Sequence, residues 1–351
     1  MDREAFRPPD HDHEHFLLTT VVGSYPQPDW LDYVREGAAA GDLDDADRRE
    51  AHEDATRAAI LDQQVAGLDV VTDGEMRREG MVDYFTTVVE GYDAPDGGDS
   101  DASWNSSMPR VTQEVETAEP WLVSDFEFAA SVASRPVKVT MTGPFTLATF
   151  ASPQAYDSIE DLALDFAALI AVEVERLAAA GADWIQLDEP GLGMSPHGEL
   201  AQECLSTVAA AVPEDVRFGT HVCSGNYANL ADEMAQFPVD ELDLEFASPD
   251  ADDPAEVFDG REFEMDIGFG VVDTQSREAE SVDEIEARIR EGLAHIPPEQ
   301  LTISPDCGLK PLERAPAQEK LENLVTAARN VEAALDAGEV APVAGDGSEN
   351  G

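Results

Sequence analysis

Two cysteines, a histidine and a glutamate in the second half of the sequence are residue types that bind divalent metal ions. His221 and Cys223 stand two residues apart at the end of the predicted extended segment 216–220, so their side chains fall on one face. Glu245 and Cys307 each close a later run that is typical of a strand. Two thiolates, one imidazole and one carboxylate hold Zn²⁺ firmly, yet leave one oxygen ligand that a substrate can displace. The four residues therefore predict a zinc site that can activate a substrate thiol.

Each of these residues also has a simpler interpretation. Cys223 and Cys307 could be small buried hydrophobic residues, and His221 a hydrogen-bonded histidine of the core. A closed zinc site with a purely structural role is a further alternative, although structural sites favour Cys and His over Glu. The common placement at strand ends favours the metal site. Cys204 lies in the helical-looking run 199–212 and is predicted to pack in the core.

Eight short apolar runs alternate along the chain with longer amphipathic segments, which is the pattern of alternating strands and helices. The predicted strands are 17–22, 68–72, 137–141, 184–187, 216–220, 242–246, 265–272 and 301–304. The predicted helices include 44–66, 158–180, 199–212, 281–295 and 317–337. This order predicts an α/β fold, a (β/α)8 TIM barrel formed by residues 16–337 as a single domain. A doubly wound parallel sheet is the main alternative.

The chain is longer than a plain barrel requires, and most of the surplus lies in residues 86–134. This stretch is predicted to be an insertion between strands two and three that could cover the barrel mouth. Residues 1–15 and 338–351 are predicted to be disordered tails. The first tail contains a His-rich tract, 11–15, which is interpreted as solvated sequence rather than as a metal site.

The barrel hypothesis predicts that functional groups follow the C-terminal ends of the strands. Polar residues do lie at the C-terminal ends of all eight predicted strands: the sixth strand ends near Glu245, and the other strands are followed by 23–26, 73–75, 142–146, 188–190, 221–223, 273–276 and 305–308. A polar turn after one strand is ordinary turn chemistry. Eight such segments at one end of a barrel predict a single active site.

The composition is strongly acidic. The chain carries 75 Asp and Glu against 21 Lys and Arg, a formal net charge of −54, and its only lysines are Lys138, Lys310 and Lys320. Hydrophobic residues make up 42% of the sequence, which favours a folded protein over a disordered one. This balance is typical of a protein from a salt-loaded cytoplasm. Nucleic acids and anionic membranes would be repelled by this negative charge, so neither is expected to be a partner.

The sequence also bears on cellular location. No run approaches the ~20 apolar residues of a transmembrane helix, and residues 1–6 contain no signal-peptide core. We therefore expect a cytoplasmic protein. In a reducing compartment, the three cysteines favour metal binding or catalysis over disulfides.

Five motifs resemble those of a known family: Val22-Gly23-Ser24-Tyr25-Pro26-Gln27, Asp73-Gly74-Glu75, Gln186-Leu187-Asp188-Glu189-Pro190, His221-Val222-Cys223 and Ser304-Pro305-Asp306-Cys307-Gly308-Leu309-Lys310. They are similar to the catalytic, C-terminal half of the cobalamin-independent methionine synthases, and the resemblance runs from about residue 17 to residue 337. The resemblance does not include the large N-terminal half of the long plant and bacterial enzymes. The chain therefore resembles the short, single-barrel archaeal type.

The resemblance implies transfer of a methyl group to the sulfur of homocysteine, giving methionine. It also implies that Glu245 is the zinc ligand that the substrate displaces. Glu75 and Asp188 would bind the amino group of homocysteine, and Ser24 with its neighbouring backbone would bind the carboxylate. The implied partners are homocysteine and a methyl donor.

Two departures from the family pattern affect the donor. Folate-using members carry a histidine in the loop after strand seven, where this chain has Asp273 and Gln275 as the candidate catalytic residues. They also place a tryptophan and an acidic residue where this chain has Phe150, which can still stack on a ring, and Met194. The donor is therefore expected to be a methyl-tetrahydropterin or folate, or a methylcorrinoid protein. A zinc-dependent transferase that acts on another thiol, such as coenzyme M, is the alternative enzyme.

High salt is predicted to be a condition of stable folding. Repulsion among the carboxylates is screened beyond about 3 Å in 1 M salt but reaches about 30 Å in 10 mM salt. The thermal midpoint should therefore fall steadily when the protein is dialysed from molar KCl into dilute buffer. An unchanged midpoint would show that the surface charge does not limit stability.

Overall fold

A parallel sheet forms the centre of the computed structural model, which describes residues 2–94, 108–117, 119–194, 197–223 and 227–341. The strands in the described residues are β1 Leu18–Thr19, β2 Glu90–Asp93, β3 Arg110–Glu116, β4 Lys138–Thr142, β5 Trp184–Asp188, β6 Arg217–Val222, β7 Glu241–Leu244, β8 Asp266–Gly270 and β9 Leu301–Ser304. Seven of them pair in parallel in the order β1-β9-β8-β7-β6-β5-β4. This circular order excludes the doubly wound sheet, in which the order reverses at a switch point.

Residues 68–72 close the sheet into a barrel. The backbone N–H of Val70 donates to the carbonyl of Thr19 at 3.2 Å, and the N–H of Lys138 donates to the carbonyl of Val71 at 2.8 Å. The segment thus bridges β1 and β4 and occupies the eighth strand position. It is not a regular strand. In a regular ladder the backbone N–H of Thr19 would donate to a backbone carbonyl, whereas here it donates to the Asp69 carboxylate at 2.9 Å. The predicted (β/α)8 TIM barrel is confirmed.

Helices separate the strands along the chain. In the described residues they are α1 Trp30–Ala40, α2 Asp45–Ala66, α3 Phe85–Val88, α4 Val123–Val132, α5 Pro144–Thr149, α6 Ile159–Ala179, α7 Pro190–Met194, α8 Gly198–Ala209, α9 Ala231–Met234, α10 Pro254–Phe258, α11 Val282–Gly292 and α12 Arg314–Asp336. Ser158 caps α6 and Ser281 forms a capping box at the start of α11, which explains why these starts are readable from sequence. All five predicted helices are present, with ends that differ by a few residues.

The insertion between strands two and three contains an antiparallel hairpin of β2 and β3, followed by α4. Tyr92 of the hairpin is buried against Phe166 of α6, with ring centroids 5.3 Å apart. The hairpin is thereby fixed to the outer layer of helices. Residues 95–107 and 118 of the predicted insertion lie outside the described residues.

Polar side chains fill the inside of the barrel, whereas apolar side chains of the same strands face the helices. The two sets alternate because successive side chains of a strand point to opposite faces. The buried polar set includes Lys138, Thr140, Gln186, Arg217, Asp243, Thr302 and Ser304. The apolar set includes Val139, Met141, Ile185, Leu187, Leu242 and Ile303, which belong to the main hydrophobic cluster. The hydrophobic core therefore lies between sheet and helices.

The N-terminal residues close the opposite end of the barrel from the predicted active site. A short 3₁₀ helix, Arg3–Phe6, places the buried Arg3 guanidinium where it donates to the carbonyls of Leu301, at 2.7 Å, and Phe16. The Phe6 ring lies 5.2 Å from the ring of Trp184. These contacts correct the prediction of a disordered tail over residues 1–15, whose polar sequence shows no periodicity that would reveal them.

The His-rich tract lies against the end of α12. The Asp336 carboxylate accepts hydrogen bonds from the backbone N–H groups of Glu14 and His15, both at 3.0 Å. It also contacts Nδ1 of His13 at 3.2 Å and Nδ1 of His15 at 2.8 Å. In the second predicted tail, residues 342–351 lie outside the described residues. No described helix combines the length and the apolar character that crossing a membrane requires.

Phe6→Ala is expected to reduce the free energy of unfolding by about 3 kcal/mol, because a buried aromatic ring is lost from beneath Trp184. The measurement is urea unfolding in molar KCl. Tyr33→Ala is the control, since Tyr33 is 73% exposed and its loss should change stability by less than about 0.5 kcal/mol. Equal effects of the two substitutions would mean that residues 2–15 do not support the barrel.

Candidate metal centre and active site

Three of the four predicted metal ligands converge at the C-terminal ends of the strands. His221 and Cys223 lie at the end of β6, and Cys307 lies in the loop after β9. The ligand atoms of these three residues all lie within 4.8 Å of one another. The two sulfur atoms are 3.8 Å apart. Two thiolates bound tetrahedrally at about 2.3 Å from one zinc ion have about this separation, so the pair fits such a site.

Asp243 fixes the orientation of His221. The Nδ1 atom of His221 lies 2.5 Å from the Oδ1 atom of Asp243, its register partner on β7. The other oxygen of Asp243 accepts a hydrogen bond from the Ser304 hydroxyl at 2.7 Å. The Nε2 atom of His221 is buried and makes no hydrogen bond in the described part of the chain. Metal-binding histidines typically have this arrangement: one ring nitrogen is hydrogen-bonded to a carboxylate, and the other is available to the metal.

The electrostatics of the group favour a thiolate. Contact with the Cys223 sulfur, together with the neighbouring His221, holds the pKa of the Cys307 thiol well below its ordinary value despite burial. Burial by itself would lower the pKa of His221, but the hydrogen bond to Asp243 and the nearby Cys307 raise it well above its ordinary value. The cluster is therefore suited to binding a cation through deprotonated sulfur.

Glu245, the fourth predicted ligand, follows the last residue of β7 and is not a member of the group within 4.8 Å. Glu245 is buried near Tyr227 and Asp306. Burial raises the pKa of the Tyr227 hydroxyl and of the Asp306 carboxyl, and the charge of Glu245 raises both further. The pKa of Asp306 is raised to about 7. The Asp306 carboxylate accepts hydrogen bonds from the backbone N–H groups of Phe246 and Ala247 at 3.0 and 2.9 Å. Asp306 thus fixes the loop that carries Glu245 beside the three-residue group.

Asp188 and Glu75 bring two carboxylates to the same end of the barrel. Asp188 is the last residue of β5 and is 8% exposed. Burial and the charge of Glu75 raise the pKa of Asp188 to about 7, although the nearby His221 opposes the shift. Glu75 accepts a hydrogen bond from the Thr140 hydroxyl at 3.1 Å. Two carboxylates that share one field attract a cation such as an ammonium group.

Glu75 has an unusual backbone. Its φ of 57° lies in the left-handed region, and among the described residues no other non-glycine residue has a positive φ. The side-chain amide of Gln27 donates to the carbonyl oxygens of Glu75 and Arg78 at 3.1 and 3.0 Å and so supports this conformation. Such strain costs of order 1 kcal/mol or more and clusters at functional sites.

Ser24 and Phe150 lie in two other loops at this end of the barrel. Ser24 packs against Gly308, directly after Cys307, where a Cβ atom would collide with the Ser24 hydroxyl. Ser24 is therefore next to the candidate metal ligand Cys307. Phe150 is the half-buried residue at the end of α5, the helix that follows β4.

Asp273 and Gln275 lie in the loop after β8. The Asp273 carboxylate is half-buried and accepts a hydrogen bond from the backbone N–H of Gln275 at 2.8 Å. Lys320 donates to the carbonyl of Asp273 at 2.9 Å and fixes the loop on α12. Gln275 itself is exposed. The structure thus gives Asp273 a role in the turn and leaves the Gln275 side chain in solvent.

The sequence pattern does not reveal the roles of Asp243 and Glu189. Glu189 is 1% exposed, and its carboxylate accepts hydrogen bonds from the Thr146 N–H at 2.7 Å and the Phe145 N–H at 3.1 Å. It thereby caps α5, while burial raises its pKa to about 7. The alternation of β7 places Asp243 on the same face as Glu245, but only the register shows that it meets His221.

The chain is similar to known proteins over most of its length. Residues 17–330 match the family described as the catalytic domain of cobalamin-independent synthase. The chain is 35% identical over 314 residues to the methionine synthase of Sulfurisphaera tokodaii, covering 88% of this chain and 90% of that protein. It is 36% identical over 313 residues to the methionine synthase of Thermococcus kodakarensis, covering 88% and 91%.

A solved structure shares the fold. The B12-independent methionine synthase from Shewanella sp. W3-18-1, in complex with selenomethionine, superposes with a TM-score of 0.80. It is 23% identical in sequence, and the match covers 92% of this chain and 99% of that chain. A second one, from Listeria monocytogenes, has a TM-score of 0.75 and 20% identity, over 92% and 99% of the two chains. The architecture is therefore the same over nearly the whole length.

Cys223→Ser and Cys307→Ser are each expected to abolish tight metal binding, because each removes one of two thiolates that face the same point. Cys204→Ser is the matched control, since Cys204 is buried in α8 within the main hydrophobic cluster. The measurement is metal content by mass spectrometry after dialysis against a chelator. Equal metal content in all three variants would contradict the assignment of the centre.

Proposed function

Because the chain belongs to the cobalamin-independent methionine synthase family, we propose that it transfers a methyl group to the zinc-bound thiolate of homocysteine and so forms methionine. One observation supports this most strongly. A group of two cysteines and one histidine lies at the same end of the barrel as the paired carboxylates Glu75 and Asp188. The first group suits a thiol and the second suits an ammonium, and homocysteine carries both.

In this proposal His221, Cys223, Cys307 and Glu245 hold Zn²⁺. The zinc ion supplies the positive charge that keeps the homocysteine thiol deprotonated at neutral pH. Two cysteine thiolates make the site electron-rich, so the bound sulfur remains nucleophilic. Glu245 would be the ligand that gives way to homocysteine, in keeping with its place on a separate loop, outside the group formed by the other three residues.

Glu75 and Asp188 bind the amino group of homocysteine, and Ser24 with its neighbouring backbone binds the carboxylate. The buried Asp188 is near both His221 and Glu75, since both influence its pKa. An amino acid held in this way presents its thiol to the metal group. The sulfur then attacks the methyl carbon of the donor: the new C–S bond forms, and the donor atom keeps the electron pair of the broken bond.

The donor in this proposal is a methyl-tetrahydropterin or folate, or a methylcorrinoid protein. Phe150 offers a half-buried ring for stacking, whereas Met194, at the end of α7, is 60% exposed and offers only apolar contact. The proposal also assigns to Asp273 the return of a proton to the leaving group, with Gln275 beside it in the loop after β8. We also propose that the protein is cytoplasmic and adapted to high salt.

The deciding experiment is methionine formation by the zinc-loaded protein in molar KCl. Methyltetrahydrofolate, methyltetrahydromethanopterin and methylcobalamin are supplied in turn, with homocysteine or coenzyme M as acceptor. We expect methionine with at least one donor and no methylation of coenzyme M. Methylation of coenzyme M alone would favour the alternative transferase.

Removal of the metal is the control for this assay. Chelator-treated protein should lose activity and regain it when zinc is restored, because thiol deprotonation depends on the ion. A wild-type protein that methylates no thiol with any donor, although it is folded and zinc-loaded, would contradict the proposed function.

A further inference from the structure

Gln186 connects the interior of the barrel to Asp188. It lies in β5, two residues before Asp188, and is 1% exposed. Its amide nitrogen donates to Oδ1 of Asp188 at 2.7 Å and to the carbonyl of Val22 at 3.0 Å. Its amide oxygen accepts a hydrogen bond from Nζ of Lys138 at 2.5 Å. An ammonium group can only donate, so Lys138 fixes which end of the amide faces Asp188.

Lys138 is an ammonium group inside the barrel. It is 1% exposed, and its Nζ atom lies 5.0 Å from the ring centroid of Trp184. Burial lowers the pKa of Lys138, while the surrounding carboxylates, Asp243 first, oppose this. Burying a charge costs several kcal/mol unless it is hydrogen-bonded and compensated. An apolar side chain could occupy the same space without this cost. The presence of a buried ammonium group that is hydrogen-bonded to Gln186 therefore requires an explanation.

We propose that Lys138 and Gln186 are positioning residues that hold the Asp188 carboxylate in place for the amino group of the substrate. The inference rests on the proposed function, in which Asp188 binds the ammonium of homocysteine. Lys138 holds the amide oxygen of Gln186, so the amide nitrogen must point at one oxygen of Asp188. The second oxygen of Asp188 is thereby left for the substrate. Neither Lys138 nor Gln186 touches the reacting atoms.

The inference predicts a selective loss in Lys138→Met. Without the ammonium group, the buried amide oxygen of Gln186 loses its donor, so the amide is no longer held from both ends and the hydrogen bond that positions Asp188 is weakened. Binding of homocysteine should weaken about ten-fold or more, the size expected for losing a hydrogen bond to a charged group. Binding of 4-mercaptobutanoate, which lacks the amino group, should hardly change.

The test is isothermal titration calorimetry of zinc-loaded protein in molar KCl with these two thiols. The quantity compared is the ratio of the two dissociation constants, because a general loss of stability or of zinc affects both thiols equally. Gln186→Met should reduce the preference for homocysteine as Lys138→Met does. The double variant should lose little more than either single variant, since both changes break one chain of hydrogen bonds.

Lys320→Met is the matched control. Lys320 is also fully buried, and its Nζ atom donates to Glu280 at 2.7 Å and to the carbonyl of Asp273. Its loss should lower stability and leave the ratio unchanged. The inference is overturned if folded, zinc-loaded Lys138→Met and Gln186→Met keep the wild-type ratio. If the wild-type protein itself does not prefer homocysteine to 4-mercaptobutanoate, amino-group recognition fails, and the proposed function fails with it.

Discussion

The structure depends on buried charges inside the barrel, each of which needs a partner on another strand of the sheet. Arg217 of β6 lies 2.9 Å from Glu241 of β7 and 2.5 Å from Asp266 of β8, and Glu241 also accepts a hydrogen bond from Thr302 at 2.8 Å. Removing one member of such a pair leaves an uncompensated charge and is strongly destabilising. These contacts tie β6, β7, β8 and β9 to one register. The same register brings Asp243 to His221, so the metal centre depends on the pairing below it.

Space for these charges comes from glycine. A Cβ atom at Gly268 of β8 would collide with the Asp243 carboxylate, and one at Gly143 would collide with the carboxylate of Glu189. Because glycine has no side chain, the Asp243 carboxylate can reach His221 and the Glu189 carboxylate can reach the start of α5. The end of the barrel that carries the candidate site therefore has two layers: loops that carry candidate site residues, and carboxylates inside the barrel that fix the start of α5 and the candidate ligand His221.

The sequence predicted features that depend on local pattern or residue type. Helices with clear caps, such as α6 and α11, were predicted within a few residues. Three of the four candidate metal ligands lie together as predicted, because thiol and imidazole groups at strand ends are rare. Features that depend on register or distant contacts were missed. Asp243 reads as an ordinary strand residue until β6 and β7 are paired, and the buried Arg3 and Phe6 lie in a polar stretch without periodicity. Residues 68–72 were predicted as a full strand because their apolar pattern does not reveal that the Asp69 side chain replaces a ladder bond.

In the proposed function, two cysteine sulfurs bind a zinc ion that also accepts the substrate thiol. X-ray absorption at the zinc edge tests it most directly, because it counts sulfur neighbours of the metal without reference to activity. The account predicts two sulfur and two nitrogen or oxygen neighbours in the free protein, and three sulfur neighbours after homocysteine is added. A sulfur count that does not rise with saturating homocysteine, or a free protein without sulfur neighbours, would contradict it.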